Sequence, residues 1–147
     1  MLEGYATPED AALGEALPAT EARIRASAIS PDGQAAIVVL GLGAPDYRYM
    51  WESVCFRQDD GSWLAGGGGN GSGWRRTHDD GERYGPGVLT VWGEAPAGTT
   101  GAVISYQATE HSVTVRDGFF YLALWDEPPP PDDPEDPSIA PWRIRFT

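Results

Sequence analysis

In ARIRASAIS, residues 22–30, Ile24, Ala26 and Ala28 alternate with Arg23, Arg25 and Ser27. Strict alternation of this kind predicts a half-buried strand. PDGQ at 31–34 is turn chemistry, since proline presets its own φ and glycine accepts a positive one. AAIVVLGL then returns as a more completely buried strand, so the two read as a hairpin. In YRYMWESVCFRQ, 47–58, the residues Tyr47, Tyr49, Trp51, Ser53, Cys55 and Arg57 share one face, and Arg48, Met50, Glu52, Val54 and Phe56 the other. Both faces carry apolar side chains, so each is expected to touch another layer. DDGSW turns the chain toward a short strand at 63–65.

Ahead of these strands, Thr7-Pro8-Glu9-Asp10 reads as a helix start. Threonine caps, proline suits the first helical position, and acids favour the positive end of the helix dipole. The helix runs through EDAALGEAL and stops at Pro18. It is too short to stand alone in water, so it must lie on a sheet.

From 66 to 87 the pattern gives way to GGGGNGSGWRRTHDDGERYGPG, which reads as a long connection between two halves. Beyond it every segment is β: VLTVWG (88–93), AVISYQA (102–108), HSVTVR (111–116), GFFYLALWD (118–126) and PWRIRF (141–146). Arg116-Asp117-Gly118-Phe119 predicts a tight hairpin. Trp142, Ile144 and Phe146 are expected in the core, with Arg143 and Arg145 in solvent. EPPPPDDPEDP, 127–137, cannot be a strand, because proline lacks the ladder donor; it reads as a stiff, acidic, polyproline-like insertion. The fold class that results is α+β and mostly β. A short helix on an antiparallel meander (1–65) and a glycine-rich connection (66–87) precede a small β-sandwich, immunoglobulin-like, or a partly open barrel (88–147).

Composition narrows the chemistry. The chain of 147 residues contains ten basic residues, all arginine, and 22 acidic ones, for a net charge of −12. Without lysine there is no Schiff base and no P-loop lysine. The negative charge argues against nucleic acid and anionic membranes as partners. No stretch approaches the roughly 18 apolar residues of a membrane span, and the opening MLEGYATPED has no basic, apolar leader pattern, so the expected home is cytoplasmic. Cys55, the single cysteine, forms no intramolecular disulfide and reads as a small buried apolar residue.

YATPEDAAL, the aromatic strand YMWESVCFRQDDGSW and the closing GGNGSGW together resemble a group of small actinobacterial proteins, in which a VWGEAP-like motif opens a β-rich second half. That resemblance implies a recurring fold and a cytoplasmic actinobacterial home. It implies no activity, catalytic residue or cofactor.

Residues 66–71 satisfy G-x-G-x-x-G, yet the polar, glycine-rich sequence that follows supports no helix to meet a pyrophosphate. The expectation is instead a turn that lets Trp74 fold back on the sheet. His78, Asp79, Asp80 and Glu82 tempt a metal reading, but their spacing fits neither a helix face nor an EF-hand loop, and a solvated loop is the plainer reading. His111, at a strand start, reads as structural. No nucleophile triad is spaced along the chain, and no cofactor is implied.

These observations lead to a non-enzymatic binding or protein-interaction module, its acidic Asp132, Asp133, Glu135 and Asp136 steering it to a basic protein surface. The first alternative is a small-molecule binding protein with an aromatic groove near Trp74, using Trp63, Tyr84, Arg75 and Arg76. A metal-dependent or hydrolytic enzyme around His78, Asp79, Asp80 and Glu82 is the second. A structural or oligomer-forming protein, paired as a homodimer through unprotected sheet edges, is the third.

Overall fold

A computed structural model describes residues 3–16, 21–77, 87–128 and 142–147. Helix α1, Pro8–Glu15, is capped by Thr7, whose Oγ1 accepts from the Asp10 amide at 3.1 Å. Strands β1 (Ala22–Ile29), β2 (Ala35–Leu42), β3 (Tyr49–Arg57) and β4 (Trp63–Gly69) form one antiparallel sheet in chain order. A second sheet has the order β5 (Trp74–Arg76), β6 (Gly87–Glu94), β9 (Phe119–Glu127). The third has β10 (Trp142–Phe146), β7 (Gly101–Tyr106), β8 (Thr109–Thr114). Among the described residues the protein is thus mostly β with one short helix, its sheets antiparallel and not closed into a barrel.

Three apolar seams stack these elements in the order helix, first sheet, second sheet, third sheet. Ala11 and Ala12 of α1 meet Val38, Leu40, Cys55 and Trp63. Ile37, Val39 and Val54, on the opposite face of the same sheet, meet Val88 and Phe119. Val91 and Phe120 turn the other way, toward Ala102 and Ile104. Period-two alternation therefore serves two seams at once in β2, β3, β6 and β9, because successive side chains leave a strand on opposite faces. Every residue of β2 is buried, as its unbroken apolar run predicts. Sealing a side chain such as Ile37 in this way stabilises the fold by about 1.5–3 kcal/mol.

The Arg116–Phe119 hairpin forms, with reciprocal main-chain bonds of 2.9 Å and positive φ at Asp117 and Gly118. It marks the corner where the chain leaves the third sheet for the second. Two expectations need correction. Ile144 is 37% exposed while Trp142 and Phe146 join the third seam, since among the described residues β10 is an edge strand with β7 on one side. The glycine run is also not wholly a connection: β4 continues through Gly69, pairing Gly67, Gly68 and Gly69 with Val54, Ser53 and Glu52, and β5 begins at Trp74. Glycine is required there by crowding, since a Cβ on Gly66 would collide with the Phe56 ring and one on Gly68 with the Glu52 carbonyl.

Among the described residues, no helix is long and apolar enough to cross a membrane.

Candidate functional site

Glu52 occupies the middle of β3 on the face that carries Met50, Val54 and Phe56, and it is 0% exposed between the first and second sheets. A charge so placed requires donors from every side. Arg75 on β5 supplies Nε at 2.5 Å from Oε1, and its Nη2 donates to the Gly71 carbonyl at 2.8 Å. Thr90 Oγ1 donates to Oε2 at 2.6 Å, and the Trp92 indole N–H donates to the same oxygen. Strand alternation explains the convergence, since Thr90 and Trp92 are two apart on β6 and face the first sheet with Val88. Gly69 lies against the Arg75 guanidinium, where a Cβ would stand 2.6 Å from Nη2. The glycine run thus opens the passage through which Arg75 reaches the buried carboxylate.

This cluster is a lock between two sheets. Both carboxylate oxygens accept hydrogen bonds, and the group is closed off from solvent.

Tyr121 on β9 belongs to the same seam, and its hydroxyl is buried without a hydrogen-bond partner among the described residues. Burial, and then the charge of Glu52, push its pKa well above the usual phenol range. Tyr121 also lines a surface groove of about 490 Å³, together with Arg25, Ser27, Thr114, Arg116 and Phe119. The groove lies where β1, β9 and β8, each the terminal strand of its own sheet, come together. A bulge in β1 between Ile24 and Ala26 accommodates Arg25, whose guanidinium stacks over the Phe119 ring at 4.7 Å. Arg25 also donates a long bond, 3.5 Å, to the Asp117 carbonyl. Burial and the neighbouring Arg23 lower its pKa, partly offset by Glu94 and Asp117. Among the described residues the ion pairs are Arg48–Asp46 and Arg75–Glu52, so neither Arg25 nor Arg116 has a carboxylate within salt-bridge distance.

An apolar cavity of about 250 Å³ lies on the far face of the first sheet, between α1 and the start of β3. Ala12, Ala16, Leu40, Leu42, Tyr49 and Trp51 line it.

The candidates chosen from sequence are dispersed through the fold. Trp63 is 6% exposed in the helix-facing seam. Trp74 folds back as expected, its ring against Gly87 and its indole N–H on the Glu127 carbonyl at 2.9 Å. Arg75 is committed to Glu52, and Arg76 follows it on β5. Tyr84, the proposed metal ligands His78, Asp79, Asp80 and Glu82, and the acidic Asp132, Asp133, Glu135 and Asp136 all lie outside the described residues. Cys55 is buried beside Ser53, with its Sγ 3.5 Å from the Pro8 carbonyl, and burial pushes the thiol up to about 11. A thiol held in its neutral form is a packing residue.

Sequence reading missed both Glu52 and the groove. For Glu52 the signal was present, a lone carboxylate alternating with Met50, Val54 and Phe56. For the groove there was none, since Arg25 and Arg116 are brought together by the packing of three sheets. Comparison with known proteins adds nothing to this geometry: no family model, no curated protein and no solved structure matches the chain.

Proposed function

We propose that the protein is a non-enzymatic binding module whose groove between β1, β8 and β9 receives an anionic group. The observation that carries this reading is the pairing of Arg25 and Arg116 on one concave surface, without carboxylate partners among the described residues, in a chain of net charge −12. Acidic side chains outnumber basic ones by 22 to 10, so arginines are readily paired within the molecule. Glu94 and Asp117 act on Arg25 only through space, and two arginines without an ion pair among the described residues on one groove favour an outside anion. The hydroxyl of Thr114 adds a neutral donor on the same wall.

Differential scanning fluorimetry with inorganic phosphate, sulfate and citrate tests the reading. Melting should rise with anion concentration in the wild type, and the rise should shrink in Arg25→Gln and Arg116→Gln. Equal responses in all three proteins would remove the groove as the site.

A second reading rests on the cavity beneath α1, whose apolar lining suits a small uncharged ring. Indole or benzene should then quench or shift tryptophan emission through Trp51, and Ala16→Leu, which fills the space, should abolish the response.

A further inference from the structure

Among the described residues β1 ends its sheet, with β2 as its one bonded neighbour. The Ser30 amide donates to the Ala35 carbonyl at 2.9 Å, and the same register sets Ala28 opposite Ile37 and Ala26 opposite Val39. Antiparallel ladders alternate between residues bonded to the partner strand and residues that face away. The main-chain N–H and C=O groups of Ser27 and Ile29 therefore point outward, on the side where the sheet has no further strand among the described residues. Ile29 is 52% exposed and Ile24 is 38% exposed, so apolar surface is offered along the same edge.

An edge of this kind is a template for another strand unless something blunts it. The bulge at Arg25 and the cations of Arg23 and Arg25 are what stand in the way. Their effect is selective. A basic segment laid along the edge would be repelled by Arg23 and Arg25. Glu9 accepts from the Ser27 hydroxyl at 3.0 Å, and Glu94 and Asp117 act on Arg25 through space, yet neither groove arginine forms an ion pair among the described residues. An acidic segment can therefore meet Arg25 and Arg116 with opposite charge while its backbone bonds to Ser27 and Ile29.

We propose that the groove binds an extended acidic peptide segment, added as a fifth strand on the open edge of β1. This inference rests on the anionic-groove reading above and specifies its occupant. Main-chain bonds would supply the affinity, and the arginines would select acidic side chains at alternating positions.

The test uses the full chain and a fluorescein-labelled peptide of alternating glutamate and threonine, followed by anisotropy. Two companion peptides carry arginine in place of glutamate, or the same acidic sequence with alternate backbone amides methylated. The acidic peptide should bind, more weakly as salt rises, and about tenfold more weakly to the Arg25→Gln/Arg116→Gln double variant. The arginine peptide should not bind, and methylation should abolish binding by removing the ladder donors. Equal binding of the methylated peptide would overturn strand addition. If no peptide binds but phosphate still raises the melting temperature through Arg25 and Arg116, the groove takes a small anion and the peptide inference is wrong. If neither peptide nor anion acts through these arginines, the binding reading itself falls as well.

Discussion

Arg75 and the Arg25–Arg116 pair are the same kind of side chain with opposite fates. Arg75 threads past Gly69 to Glu52, and the pair closes inside the molecule with Thr90 and Trp92. Arg25 and Arg116 face a groove that opens to solvent, with a ring beside them; Glu94 and Asp117 act on Arg25 through space, but among the described residues neither arginine forms an ion pair. The sealed pair fastens the first sheet to the second, whereas the open pair lies on a groove that faces solvent. Tyr121 stands between the two, lining the groove while sharing the seam of Glu52.

The contrast can be broken most forcefully at the sealed end. Arg75→Ala leaves a wholly buried carboxylate without its cation, and urea unfolding should show a loss of about 3–5 kcal/mol. Replacing both members, as in Glu52→Leu with Arg75→Leu, should recover much of that loss, because the destabilisation comes from the orphaned charge. If Arg75→Ala proved neutral, the cluster would not be a lock. Trp92→Phe keeps most of the ring but withdraws one donor from Oε2, and should cost about 1–3 kcal/mol by the same measurement.

A smaller effect concerns pH and lies on the helix-facing seam. The Cys55 thiol titrates near 11 in the fold against an ordinary 9.0. The folded chain therefore keeps its thiol proton where the unfolded chain has lost it. Stability from this group is complete below pH 9 and falls as pH rises toward 11, by about 1 kcal/mol at pH 10. Urea midpoints at pH 7 and pH 10, in the wild type and in Cys55→Ala, isolate the contribution: the extra alkaline loss should be absent from the variant.

The smallest effect is expected at the open end. Arg116→Gln should change unfolding stability by no more than about 0.5 kcal/mol, because no ion pair is lost, while reducing anion-induced stabilisation. A large loss of stability there would mean that Arg116 is structural, and the two regions would no longer differ in kind.

Much of the architecture was legible because it is governed by neighbours in the chain. Thr7 and Pro8 start the helix by local capping, and Asp117-Gly118 turns a hairpin through its own φ preferences. Alternation from Tyr47 to Arg57 already required a layer on each face, and the helix and the second sheet are those layers. The glycine run was misread for a physical reason. Glycine is disfavoured in strands by local propensity, but the Phe56 ring and the Glu52 carbonyl come so close that a Cβ at 66 or 68 would collide, and the Arg75 guanidinium lies against Gly69. Ile144 escaped the core although its period was right, because a side chain on an edge strand is covered only where a neighbouring layer extends over it.

The amino-acid sequence by itself determined the β-rich fold class, the capped helix, the two-faced strands and the exclusion of lysine chemistry, all of which depend on composition or on residues a few positions apart. Only the tertiary structure decided that Glu52 meets Arg75, Thr90 and Trp92, from 23 to 40 positions along the chain, and that Arg25 and Arg116 share a groove. Both depend on which sheet faces which and on which strands are left at the edges. Periodicity specifies the face of a strand, but the partner of that face is chosen by packing the whole chain.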